Sequence, residues 1–111
     1  SDGSILFGDN TPMGTVLFHG GMSREGVLKS AEEGIRAAMR GISEPEVVLI
    51  FDGFQRKMAL GEDLQRESEV IKKCVKDIPT IGFHSIGEYL SLGSMPEYTN
   101  GRIVTIVLGE T

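Results

Sequence analysis

Cysteine is nearly absent from this 111-residue sequence: Cys74 stands alone. One thiol excludes an intrachain disulfide framework and the multi-cysteine zinc patterns. A chain without disulfides suits a reducing compartment, so a cytoplasmic setting is the expectation. Long hydrophobic runs are missing too. None approaches the roughly 20 residues that a membrane-spanning helix needs, and no membrane contact is expected of this segment. Positive charge is in deficit, with 11 Lys and Arg against 16 Asp and Glu and a net charge of −5. A nucleic-acid surface needs a basic face, so none is expected. There is no G-x-x-x-x-G-K-S/T phosphate loop, no G-x-S-x-G nucleophile elbow and no H-E-x-x-H zinc helix. The two histidines lie among scattered carboxylates without ligand spacing, so neither a metal nor a cofactor is expected.

What remains is an ordinary globular composition, 40% hydrophobic and 24% charged. The length suits one domain, residues 1–111, with a core of its own. The sequence starts without an initiator methionine, and the expectation is a piece of a longer protein. Residues 4–8 (SILFG) and 14–20 (GTVLFHG) read as two strands around turn chemistry at Asp9, Asn10 and Pro12, close enough to pair as a hairpin. Ser23 caps a helix from Arg24. Val27, Leu28, Ala31, Ile35, Ala38 and Met39 form its apolar face, and Gly41 ends it. Residues 46–52 (EVVLIFD) give the strongest strand, apolar throughout its middle, which implies cover on both faces. FQRKMALGED then reads as a connection of mixed polarity. A second helix spans about residues 63–76, with Leu64, Ile71, Cys74 and Val75 inward, and Cys74 packing there as a small hydrophobe. Strands follow at 80–85 and 102–108, separated by a glycine-rich loop over 86–100. The order β-β-α-β-α-β-β predicts an α/β or α+β domain, a mixed sheet packed with two helices. The strands joined by helices should be the parallel ones.

Several residues lie where chemistry is possible. Asp52, Arg56 and Lys57 follow a central strand, where ligands sit in open α/β sheets. Arg56 can fork onto a carboxylate or phosphate; the plainer reading is a solvated loop. His84, Ser85 and Glu88 gather at the end of another strand, with Gly82 and Gly87 expected to turn the backbone tightly. Alternation sends His84 and Ser85 to opposite faces, so one of them turns inward. A serine-hydrolase triad fits poorly. His19 with Gly20 and Gly21 could present backbone N–H groups to an anion, or simply make the turn into the capped helix.

Three stretches resemble a known family: FDGFQRKMALGEDLQRESEVIKK, IPTIGFHSIGEYLSLG and EYTNGRIVTIVLGET. Together they are similar to the C-terminal half of FIST domains. In that pattern an apolar strand leads to an arginine, then to L-G-x-x-x-x-x-E, to P-x-x-G-F-x-S-x-G-E, and to a last strand after an asparagine. Here those places are taken by Arg56, by Leu60, Gly61 and Glu67, by Pro79, Gly82, Phe83, Ser85, Gly87 and Glu88, and by Asn100 with Leu108. DGSILFGDNTPMGTVLF resembles the opening of the same half. The cysteine that the family often carries before the arginine is absent, replaced by Gly53, Phe54 and Gln55. The resemblance implies a sensory module of signal transduction that binds a small ligand such as an amino acid. Its partners would be an output domain or the N-terminal half of the same protein.

The expected site is therefore a ligand-binding one, made of Asp52, Arg56, His84, Ser85 and Glu88, with no catalytic and no metal-binding residue. In it a ligand carboxylate meets Arg56 and its ammonium meets Glu88. Two other classes stay open: a protein-interaction or homo-oligomerisation domain, and a small enzyme using His84 and Glu88 as acid and base.

Overall fold

Ser23 sets where the first helix begins. Its Oγ accepts a hydrogen bond from Gly26 N at 3.0 Å and satisfies one of the N–H groups that a helix start leaves bare. Helix α1 runs Arg24–Arg40 and buries Val27, Leu28, Ala31 and Ile35, the face that its 3.6-residue period marks. Lys29–Glu33 and Arg36–Glu32 pairs lie on its solvent side. The computed structural model describes residues 2–7, 10–18, 20–91, 96–99 and 101–111. Strand β1 (Glu44–Gly53) follows, then helix α2 (Phe54–Leu60), a single 3₁₀ turn, and helix α3 (Leu64–Val75). Strands β2 (Thr80–Ser85), β3 (Glu88–Ser91), β4 (Pro96–Thr99) and β5 (Ile103–Glu110) complete the order.

The main sheet is mixed, in the order β2-β1-β5. β1 and β2, the pair joined through helices, are parallel, with Val48 opposite Thr80 and Gly53 opposite Ser85. β5 lies antiparallel to β1 on its other side, from Asp52 opposite Ile103 to Val47 opposite Leu108. Both long helices lie on one face. There Ile35 of α1, Val48 and Ile50 of β1, and Cys74 and Val75 of α3 make one core, joined by Ile103 and Val107 of β5. A second cluster of Val27, Leu28 and Leu60 ties α2 to α1. The fold class expected from sequence is the one observed: an α+β domain with a mixed sheet and two principal helices.

Four local expectations are corrected. The apolar run in β1 is covered on one face only. Val48, Ile50 and Asp52 face the helices, whereas Val47, Leu49 and Phe51 face outward and are half-buried. The connection after β1 contains α2, a two-turn helix too short to show a period. The glycine-rich loop contains the β3–β4 hairpin. Among the described residues of 4–8 and 14–20 there is no strand, because these apolar stretches pair with no other described segment. Gly8, Asp9, His19 and Asn100 lie outside the described residues, so the expectations placed on them do too.

Gly82 also has a different role from the one its sequence suggests. It lies inside β2 rather than in a turn, opposite Ile50. A Cβ there would sit 2.8 Å from Ile50 O and 3.1 Å from Ile50 Cβ, so the two parallel strands need its bare backbone. Gly87 makes the turn, with φ +81° between β2 and β3.

Candidate functional site

Asp52 is the last helix-facing side chain of β1. A strand that alternates Val48, Ile50, Asp52 toward the core ends by pushing a carboxyl under α1 and α3. The chain turns into α2 directly after Gly53, whose N–H bonds to Arg102 O at 2.8 Å. That turn brings Arg56 back over Asp52, and Arg56 Nε donates to Asp52 Oδ1 at 2.9 Å. Nη1 donates to Ser30 Oγ at 2.9 Å, and Nη2 donates to Val27 O at 2.8 Å and to Glu67 Oε1 at 2.6 Å. The Ser30 hydroxyl in turn donates to Val27 O at 2.8 Å. Arg56 is only 4% exposed, and Glu67 on α3 only 2%.

Arg56 is therefore an internal cross-link in this structure. Its guanidinium spends four N–H bonds on α1, β1 and α3 and holds the three elements together.

The charge balance around Arg56 is uneven. One guanidinium faces two buried carboxyl groups. Burial, followed by the adjacent Glu67 carboxyl, pushes the Asp52 carboxyl up from 3.8 to about 7, against the opposing pull of Arg56. Near pH 7 the Asp52 carboxyl is thus about half protonated. Glu67 Oε2 is buried and has no hydrogen-bond donor among the described residues. A buried carboxylate oxygen without a donor is costly, and a shared proton or a ligand N–H relieves it.

His84 reaches the same place from β2. Its register opposite Asp52 sets Nδ1 3.4 Å from Asp52 Oδ2, with a third of the side chain still exposed. Asp52, Glu67 and His84 together close the polar end of a cleft of about 370 Å³ between β2 and α3. Ile50, Leu64, Ile71 and Val75 supply its apolar wall, and Ser68 and Lys72 its α3 rim. This is the size and mixture of a small-molecule cleft, apolar with a few convergent polar groups.

Ser85 and Glu88 lie apart from the cleft. Ser85 Oγ donates to Glu88 Oε1 at 2.6 Å, and Glu88 is buried. They brace the turn at Gly87. His84 has Asp52, rather than Glu88, as its carboxylate neighbour. The structure thus divides the five residues singled out from sequence into two groups. Asp52, Arg56 and His84 belong together; Ser85 and Glu88 form a separate pair. Glu67 and Lys72 were not assigned to the site from sequence. Glu67 does occupy the last place of the L-G-x-x-x-x-x-E pattern, and that spacing from Leu60 was the available signal. Among the described residues no group of three or more His, Cys, Asp or Glu is arranged to hold a metal ion.

A profile of the FIST C domain matches residues 1–91. The chain belongs to the FIST C domain family. The match takes in Asp52, Arg56, Glu67 and His84, hence the whole polar end of the cleft. FIST C domains are associated with signal transduction. No curated protein and no solved structure matches this chain. Among the described residues of this FIST C domain, no helix is long and apolar enough to cross a membrane.

Proposed function

We propose that this FIST C domain is a small-molecule-binding sensory domain whose ligand, an amino acid or a related carboxylate, sits in the cleft between β2 and α3. One observation carries the reading: Glu67 Oε2, buried and without a donor, at the polar end of an apolar cleft. An ammonium group placed there donates to the acid pair and takes over the role of its proton. The ligand's apolar body lies against Leu64, Ile71 and Val75. Its carboxylate meets the Lys72 ammonium at the rim, a cation with no ion-pair partner among the described residues. Relative to the arrangement expected from sequence, the ligand's polarity is inverted: the acids bind its ammonium, and Arg56 acts through them as a positioning residue.

A sensory domain needs a receiver. The output domain or the N-terminal half of the same protein fills that role, in the cytoplasm, where the free and buried Cys74 stays reduced. A thermal-shift screen of the amino acids and small carboxylates at pH 8 tests the reading. A ligand at 100 times its Kd adds about 2.7 kcal/mol of stability, a plain shift for a domain this small. The shift should disappear in Lys72→Ala and Glu67→Gln. A screen without a hit, or a hit that both variants keep, contradicts the proposal.

A further inference from the structure

Among the described residues the second face of the sheet is open. Phe51 and Phe83 meet there edge to face, with ring centroids 5.1 Å apart, yet Phe83 is 60% and Ile81 64% exposed. Ile106 and Leu108 continue the same face on β5. β5 is also an edge strand, and among the described residues nothing pairs with its outer side. Natural edges are usually blunted by lysine, proline or a short length. Over its eight residues β5 has neither lysine nor proline.

The same chain carries a strand without a sheet. Residues 15–18 (TVLF) and 5–7 (ILF) have strand composition, no strand pairing, and side chains turned to solvent, with Leu6 98% and Phe18 92% exposed. This arm joins α1 beside the start of β5, since Gly21, Met22 and Ser23 line one hollow together with Gly101, Arg102 and Ile103. It does not fold back over its own sheet. The radius of gyration is 16.2 Å, against about 13 Å for a compact chain of this length. A free strand and a free edge on one chain are mutually complementary, and a two-fold exchange satisfies both at once. The area suffices: a buried Phe alone covers roughly 150–250 Å². Phe7, Phe18 and their aliphatic neighbours, taken from both arms, exceed the roughly 1,200 Å² at which specific interfaces start.

We propose that the chain self-associates by arm exchange: residues 15–18 of one copy add a strand to the outer edge of β5 of a second copy, and the arm's apolar side chains cover that copy's open sheet face. The partner is a second copy of this chain, and the contact leaves the β2–α3 cleft free.

Sedimentation of the 111-residue chain from 1 to 200 µM, with amide exchange measured at both ends of that range, tests this. The expected result is a dimer, with slow exchange at residues 15–18 that appears only at the higher concentration. Val16→Pro removes a strand N–H, and Phe18→Asp places a charge on the covered face. Each should weaken the dimer at least ten-fold. Both positions are exposed in the single chain, so neither variant should disturb its core. A monomer at every concentration overturns the proposal. So does a monomer whose arm amides are already slow, which means that the arm closes on its own sheet. A dimer indifferent to both variants overturns it as well.

Discussion

Replacing Asp52 by asparagine should make this protein more stable at alkaline pH, although it removes a partner of a buried arginine. Arg56 balances one of the two buried carboxyl groups, and the second keeps its proton up to about pH 7. An unfolded aspartate releases that proton near 3.8. Below 3.8 both states are protonated and the group is neutral in the balance. Between 3.8 and 7 the folded state holds a proton that the unfolded chain has released, so stability falls as pH rises. Each pH unit costs about 1.4 kcal/mol, and the full interval is on the order of 4 kcal/mol. Above 7 the slope vanishes and the cost remains. Asparagine keeps an oxygen for Arg56 Nε and supplies N–H in place of the shared proton, which leaves a neutral Arg56–Glu67 pair. Urea denaturation of both proteins from pH 4.5 to 8.5 gives the test. The wild type should lose stability across that range, and Asp52→Asn should be flat and lead by about 2–4 kcal/mol at pH 8. Equal slopes, or a variant less stable than wild type at pH 8, would refute the charge balance.

Arg56→Ala leaves both acids without a counter-charge and should cost about 3–5 kcal/mol, seen as a lower denaturation midpoint. Arg56→Lys should not restore it, because one ammonium cannot span acceptors on three elements. Lys76 ends α3 with φ +54° and ψ −120°, a conformation that suits glycine. Lys76→Gly should therefore stabilise by about 1 kcal/mol in the same assay. An ammonium ligand that displaces the proton of the acid pair should bind more tightly as pH rises, by up to about ten-fold per unit below 7 and with little change above it. Calorimetry at pH 6, 7 and 8 measures this, and affinity that falls over the same range would count against an ammonium at the acid pair.

The elements with a clear period were legible from sequence. α1 is marked by its apolar face and by Ser23, and β2 has the limits expected, Thr80–Ser85. β1 was legible as a strand, but not the face it leaves open. A run such as Val47 to Phe51 looks alike whether one face is covered or both. α2 was missed because it is two turns long and its inward residues are Leu60 and Arg56. Sequence reasoning sends charged residues outward, since burying them is expensive. Only the i, i+4 spacing of Asp52 and Arg56 across a strand–helix junction hints at the inward turn. Glu67 was hidden for the same reason on α3. The strand pattern of the arm is present in the sequence; what is missing is a pairing partner among the described residues.

The central claim is that the β2–α3 cleft is the ligand site, and residue-resolved NMR tests it most directly. ¹⁵N-labelled protein would be titrated at pH 8 with L-leucine, an ammonium carboxylate with an apolar body. The account predicts saturable shifts centred on Asp52, Glu67, Lys72 and His84, with Ser85, Glu88 and the arm little changed. Shifts centred on Ser85 and Glu88, or no saturable shift from leucine or any other amino acid, would contradict it.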